Sequence, residues 1–124
     1  CRRLEASTFP EILIAGWSAS LAWLEGIGWE RIARDTARAA RACREALDGL
    51  QGVCLDPPLA SESGLVAFSV PGRDPEEVAM ALAQRGVIVR PLPAPGALRA
   101  SCGFFTNAGD IDRLAEALAG LPAC

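Results

Sequence analysis

The residue that most invites a chemical reading is Arg99. In Leu98-Arg99-Ala100-Ser101-Cys102 it interrupts an otherwise apolar strand just after a Pro/Gly turn, a setting in which a guanidinium can face an anion. Its planar fork matches a carboxylate through two parallel hydrogen bonds, which suits recognition of an amino or organic acid; a structural pair with Asp or Glu is the alternative. Arg90, at the end of its own strand and immediately before Pro91, poses the same question. Ser7-Thr8, ahead of the first helix, could offer hydroxyls and backbone N–H groups to a phosphate, because helix N-termini favour anions; ordinary capping would use the same residues. Asp110 and Asp112, like Glu76 and Glu77, fall in first turns of helices, where negative charge complements the dipole, and are assigned no catalytic role.

Missing residue types narrow the chemistry further. The 124 residues contain no His, no Tyr and no Lys, and all 12 basic residues are Arg. Without His there is no catalytic triad of the usual kind, no imidazole proton shuttle and no His metal ligand. Without Lys there is no Schiff-base nucleophile. Arg keeps its proton at all practical pH, so it binds and orients anions but rarely exchanges protons. The chain is equipped to hold a ligand, and neither a catalytic residue nor a metal site is assigned to it. Five cysteines, an odd number without CxxC spacing, argue against a zinc site and against a secreted disulfide framework, and favour a reducing, cytoplasmic setting. Cys43, Cys54 and Cys102 fall at apolar positions, where Cys behaves as a small core residue. With 12 basic against 15 acidic residues, the net charge of -3 argues against nucleic acid as a partner, and the arginines of the second helix read as a solvated face.

These residues need a scaffold, and the pattern supplies one. A 51% hydrophobic chain of this length suits one domain over residues 1–124, burying roughly two-thirds of its unfolded surface. Ile12 to Leu24 reads as a helix that is apolar nearly all round, yet it falls short of the roughly 20 residues that cross a bilayer. Such a helix must be covered on several sides, either by the core or by a partner domain or subunit. A second helix follows Gly28 and runs to about Leu50, with a core stripe of Trp29, Ile32, Thr36, Ala40, Cys43, Leu47 and Leu50 and a surface pair of Glu30 with Arg34. Val53–Leu55 and Gly64–Val70 read as antiparallel strands. Asp74-Pro75-Glu76-Glu77 carries a helix start in which Asp74 caps, Pro75 fills the first position and Glu77 completes a capping box. That helix ends at Gly86. Val87–Val89 then reads as a strand reached by a crossover and parallel to Gly64–Val70, followed by a Pro-rich turn and a strand over Ala97–Phe104. Asn107 and Asp110 open a last helix with the stripe Ile111, Leu114, Leu118 and Leu121. The fold class is α+β: a small mixed sheet of about four strands with helices packed mainly on one face, preceded by two long helices.

Several short segments recur in a familiar order: Glu5-Ala6-Ser7-Thr8 before a long apolar helix, Gly64-Leu65-Val66-Ala67-Phe68, Leu98-Arg99-Ala100-Ser101, Phe105-Thr106-Asn107 and Asp110-Ile111-Asp112-Arg113-Leu114. Together they resemble the carboxy-terminal small domain of the class V aminotransferase superfamily. These are the fold-type I pyridoxal-phosphate enzymes that include cysteine desulfurases, cystine lyases and isopenicillin N epimerase-like proteins. The likeness runs from about Leu4 to Leu121. It implies that Arg99 pairs with the α-carboxylate of an amino-acid substrate. It also implies that Thr8, with Ser7 beside it, reaches the phosphate of pyridoxal 5'-phosphate held largely by the neighbouring subunit of a homodimer. Ser7 stands where the family usually has Gly, and Phe9-Pro10 replaces its common Pro-Asn. Desulfurases carry a reactive Cys in the loop between the positions of Arg90 and Arg99. Here that loop, Pro91 to Gly96, has no thiol, and it is more similar to the lyase and epimerase branches. The resemblance places the cofactor-binding Lys in an upstream large domain, so that this chain would close over the substrate of a transaminase, lyase or epimerase without being catalytic alone. Read from the residues only, a free-standing amino-acid-binding or regulatory module stays open, as does an interaction piece that docks through its first helix.

Overall fold

The computed structural model describes residues 10–56, 61–92 and 96–122. Two long helices come first, α1 (Glu11–Ile27) and α2 (Trp29–Asp48), joined at Gly28, whose φ of 97° lies in the region that glycine adopts without strain. Strands β1 (Cys54–Leu55) and β2 (Leu65–Ser69), helix α3 (Pro75–Ala83), strands β3 (Arg90–Pro91) and β4 (Leu98–Ser101) and helix α4 (Ala108–Ala119) follow. Both helix starts read from local spacing are present. The Asp74 carboxylate accepts from the Glu76 N–H at 2.7 Å with Pro75 in the first turn. Asn107 and Asp110 close a reciprocal capping box, each side chain accepting from the other's backbone N–H at 3.1 Å. Glu77, by contrast, makes no reciprocal bond to the Asp74 backbone, so that start is a simple cap.

The sheet order is β1-β2-β4-β3, and every hydrogen-bonded pair in it is antiparallel. This corrects the expectation of a mixed sheet. β2 and β3 do run in the same direction, as the crossover through α3 requires, but β4 lies between them and pairs antiparallel with both. The fold class stays α+β; the ladders are short, and the strand expected over Val87–Val89 instead forms at Arg90–Pro91, just after it.

One face of the sheet makes the core. Val66 and Phe68 of β2 and Leu98 and Ala100 of β4 point into it and meet Cys43 and Leu47 of α2, Val78 and Leu82 of α3, and Ile111, Leu114 and Leu118 of α4. Period-two alternation sends Leu65, Ala67, Arg99 and Ser101 to the opposite face, and none of these four is buried. Arginines tie the layers together at their ends. Arg85 donates to the Ala117 and Gly120 carbonyls at the C-terminus of α4, and Arg73 donates to the Pro122 carbonyl. Arg85 thereby satisfies carbonyls that a helix end leaves unpaired, and Arg73 fastens the segment just beyond it.

The long helices depart from expectation in a consistent way. No described residue of α1 is buried, and Ile12 (88%) and Trp17 (65%) stand almost free. Its lower end is held instead by an aromatic chain, with the Trp23 ring 6.2 Å from that of Phe104 and the Phe104 ring 5.3 Å edge-on from that of Phe105. In α2 only the second half packs on the core: Ala39, Ala40, Cys43 and Leu47 are buried, whereas Trp29 is half exposed. The expected Glu30–Arg34 pair does not form; Asp35 draws Arg31 (3.6 Å) and Arg38 (3.4 Å) instead. Cys54, expected inside, is exposed because β1 is the edge strand of the sheet. No helix among the described residues is long and apolar enough to cross a membrane.

Candidate functional site

Arg99 sits in the interior of the sheet, on the face away from the core. The register sets Ala67 of β2 opposite it on one side and Arg90 of β3 opposite it on the other. Directly opposed residues on one face have their Cβ atoms about 5 Å apart, and like charges there repel. The Ala67 side contributes only a methyl group, so nothing in β2 offsets that repulsion. Among the described residues neither Arg90 nor Arg99 has a carboxylate partner. The Nε of Arg99 is buried and donates to nothing among the described residues. An unsatisfied, partly desolvated cationic donor is costly to keep.

The other arginines make the contrast clear. Arg31 and Arg38 share Asp35, Arg113 holds Asp110 at 2.6 Å, Arg85 binds carbonyls at the end of α4, and Arg73 binds the Pro122 carbonyl beyond it. Arg44 donates to the Ser63 and Leu65 carbonyls at 3.2 and 3.3 Å, fastening α2 to the start of β2. Arg34 and Arg41 have no ion pair among the described residues, but they lie along one helix beside Glu62 in a shallow cleft, not face to face across a ladder. Among the described residues, two arginines directly opposed across a ladder, one of them with a buried free donor, occur at Arg90 and Arg99.

The remaining expected site residues fall differently. Ser7 and Thr8 lie outside the described residues, so the expectation of a phosphate contact has no geometry here. Asp110 serves its helix, its carboxyl held below the usual carboxylate range by the Asn107 backbone N–H and then by Arg113. Glu76 and Glu77 occupy the first turn of α3. The partnership of Arg90 with Arg99 was not evident from sequence spacing, since it arises only when β4 inserts between β2 and β3. The described residues hold no cluster of His, Cys, Asp and Glu that could bind a metal ion.

Comparison with known proteins places this chain in a family. The sequence model of the class-V aminotransferases matches residues 1–114, so the chain belongs to that family of pyridoxal-phosphate-dependent enzymes acting on amino acids. Among solved structures it is similar to the cysteine desulfurase CsdA of Escherichia coli in its S-sulfonic acid form, with 26% identity, a TM-score of 0.81, and coverage of 94% of this chain and 31% of that one. The apo cysteine desulfurase of Thermococcus onnurineus NA1 matches at 26% identity and a TM-score of 0.74, over 84% of this chain and 29% of its own. A mutant of C-DES with glycine covalently linked to its PLP cofactor shares the fold at 22% identity and a TM-score of 0.67, over 72% of this chain and 23% of its own. The chain thus spans between 23% and 31% of the length of these proteins.

Proposed function

We propose that this chain is the small domain of a larger pyridoxal-phosphate enzyme and that Arg99 binds the α-carboxylate of its amino-acid substrate. The observation that carries the reading is the Arg90–Arg99 pair on the sheet face away from the core, with the Arg99 Nε buried and without an acceptor among the described residues. A carboxylate placed against Arg99 would take two parallel hydrogen bonds, satisfy that donor and relieve the repulsion from Arg90. Arg90 adds positive field without needing direct contact. The strand itself is stiffened by Leu98 and Ala100, both buried on the other face, which holds the guanidinium's stem in place.

The chain's own donor set does not fit the cofactor's aldehyde, because it has no Lys to carry it. That anchor belongs to a large domain upstream, in which the cofactor when bound acts as the electron sink for chemistry at the substrate's α-carbon. On this reading Thr8 and Ser7 reach the cofactor phosphate of the partner subunit in a cytoplasmic homodimer. Arg99 fixes the substrate's orientation, and closure of this domain excludes water from the site. The segment Pro91 to Gly96 contains no Cys, which favours lyase, transaminase or epimerase chemistry over a protein-bound persulfide.

The test is kinetic, in the complete enzyme. Hydrogen bonds to charged groups contribute about 1.5–3 kcal/mol each. Two of them, discounted for the partial exposure of Arg99, give about 2–4 kcal/mol, so Arg99→Ala lowers kcat/KM by roughly 30-fold to several hundredfold. Arg99→Lys keeps the charge, loses the fork and recovers only part of the activity. Wild-type kcat/KM in Arg99→Ala removes Arg99 from the site.

A further inference from the structure

A second group of reactive side chains lies on the core side of the sheet, away from Arg99. Cys102 follows the last residue of β4, and Cys43 is buried on α2. Cys102 packs against the core cluster that includes Cys43, and both residues line one open cleft of about 260 Å³ between the end of β4, the segment before β3 and the start of α4. That volume far exceeds the ~30 Å³ share of a water molecule in the liquid. Two further contacts fix the approach of α2 to the strand end. The Cys102 N–H donates to the Gly64 carbonyl at 2.7 Å, and a Cβ at residue 64 would fall within 2.7 Å of the Thr36 methyl group of α2 and overlap the Cys102 carbonyl. Glycine at 64 is therefore what lets helix and strand end close together.

The electrostatics of the pair are asymmetric. The hydrogen bond from the Cys43 thiol, helped by the Arg44 guanidinium and opposed by partial burial, brings the Cys102 pKa down to about 7. Cys43 is pushed up by the same interaction and by burial. Arg44 is held in place by the Ser63 and Leu65 carbonyls on either side of Gly64. The other charged groups on the cleft are Asp110 and Arg113 of α4, which are paired with each other. A thiolate beside a thiol, in a cleft with a fixed cation nearby, is the arrangement of an oxidisable dithiol.

We propose that Cys102 and Cys43 form a modification site in which hydrogen peroxide converts the two thiols to an intrachain disulfide, Cys102 attacking and Cys43 resolving. The Cys102 thiolate attacks one peroxide oxygen; the S–O bond forms, the O–O bond breaks, and hydroxide leaves to become water, giving a sulfenic acid. The Cys43 sulfur then attacks that of Cys102, the S–O bond breaks, and the departing hydroxide leaves as water with the Cys43 proton. Two thiols lose two electrons and two hydrogens, and one peroxide becomes two waters. The bond would tie α2 to the end of the strand that carries Arg99. It needs no assumption about what Arg99 binds.

The complete protein is treated with hydrogen peroxide, blocked with an alkylating reagent and digested with trypsin. Cleavage after arginine yields Ala42–Arg44 and Ala100–Arg113, each with a single cysteine. The expected product is the linked pair of these peptides, lighter by two hydrogens than their sum and separated again by dithiothreitol. Exposed Cys54 stays reduced at the same dose. In Cys43→Ala the link is lost and Cys102 goes on to sulfinic acid, whereas in Cys102→Ser Cys43 remains reduced. The proposal is overturned if Cys102 stays reduced while Cys54 oxidises. It is equally overturned if Cys102 links to another cysteine or reaches sulfinic acid in the wild type, or if Cys43 oxidises equally fast in Cys102→Ser.

Discussion

Gly64→Ala tests how the strand carrying Arg99 is held. Residue 64 precedes β2, and its φ is not in the left-handed region, so alanine meets no backbone strain there. On that count alone the substitution would stabilise the fold by about 0.4–1 kcal/mol through the unfolded chain. The added Cβ, however, overlaps the Cys102 carbonyl, which belongs to a hydrogen-bonded backbone, and lies 2.7 Å from the Thr36 methyl group. Neither neighbour is the free end of a flexible side chain. Overpacking of this kind costs about 1–3 kcal/mol, and distortion of the 2.7 Å bond from the Cys102 N–H to the Gly64 carbonyl costs about 1 kcal/mol more. The net loss is about 2 kcal/mol, or a roughly 30-fold rise in local opening. Hydrogen exchange of the Val66–Phe68 and Leu98–Ser101 amides in the complete protein reads this directly, because it reports the stability of the β2–β4 ladder. Gly16→Ala, where nothing lies within 4 Å, is the control and should slow exchange in α1. Unchanged or slower exchange across the ladder in Gly64→Ala would refute the packing argument.

Other consequences are local. Asn107→Ala removes the cap of α4 and should lower stability by about 1 kcal/mol, seen as faster exchange in the first turn of that helix. Asp110 is held below the usual carboxylate range in the fold, so its contribution is present above the unfolded pKa and disappears as pH falls through the depressed folded value. Asp110→Asn should therefore flatten the acid limb of the stability curve, and an unaltered limb would show that the cap carries no linkage. Arg85→Ala leaves the Ala117 and Gly120 carbonyls without their donor and should destabilise the α3–α4 contact by about 1–3 kcal/mol in urea unfolding.

What could be read from the sequence divides by range. The starts of α3 and α4 were legible because Asp74-Pro75 and Asn107 with Asp110 act within one helical turn. The stripe of α4 was legible for the same reason, since Ile111, Leu114 and Leu118 repeat at helical spacing and are buried. The sheet order was not, because only tertiary pairing puts β4 between β2 and β3; the Arg90–Arg99 register was hidden with it. Apolar character also misled where an element runs beyond the core: Trp29 and most of α1 have the composition of buried residues yet stand exposed, and no residue of α1 is buried in this chain. Cys54 looks like its neighbours in sequence but falls on the edge strand. Arg99 was singled out by its place in an apolar strand, while the absence of a partner for its Nε required coordinates.

The most direct measurement of the central claim pairs a change in Arg99 with a change in the ligand. In the complete enzyme, binding of an amino-acid substrate is compared with that of the corresponding amine lacking the α-carboxylate, in wild type and in Arg99→Ala. The account predicts that the wild type prefers the amino acid by roughly 30-fold to several hundredfold more than the variant does, a coupling of about 2–4 kcal/mol. Equal preference in the two proteins would contradict it, and Arg99 would then have no part in recognising the carboxylate.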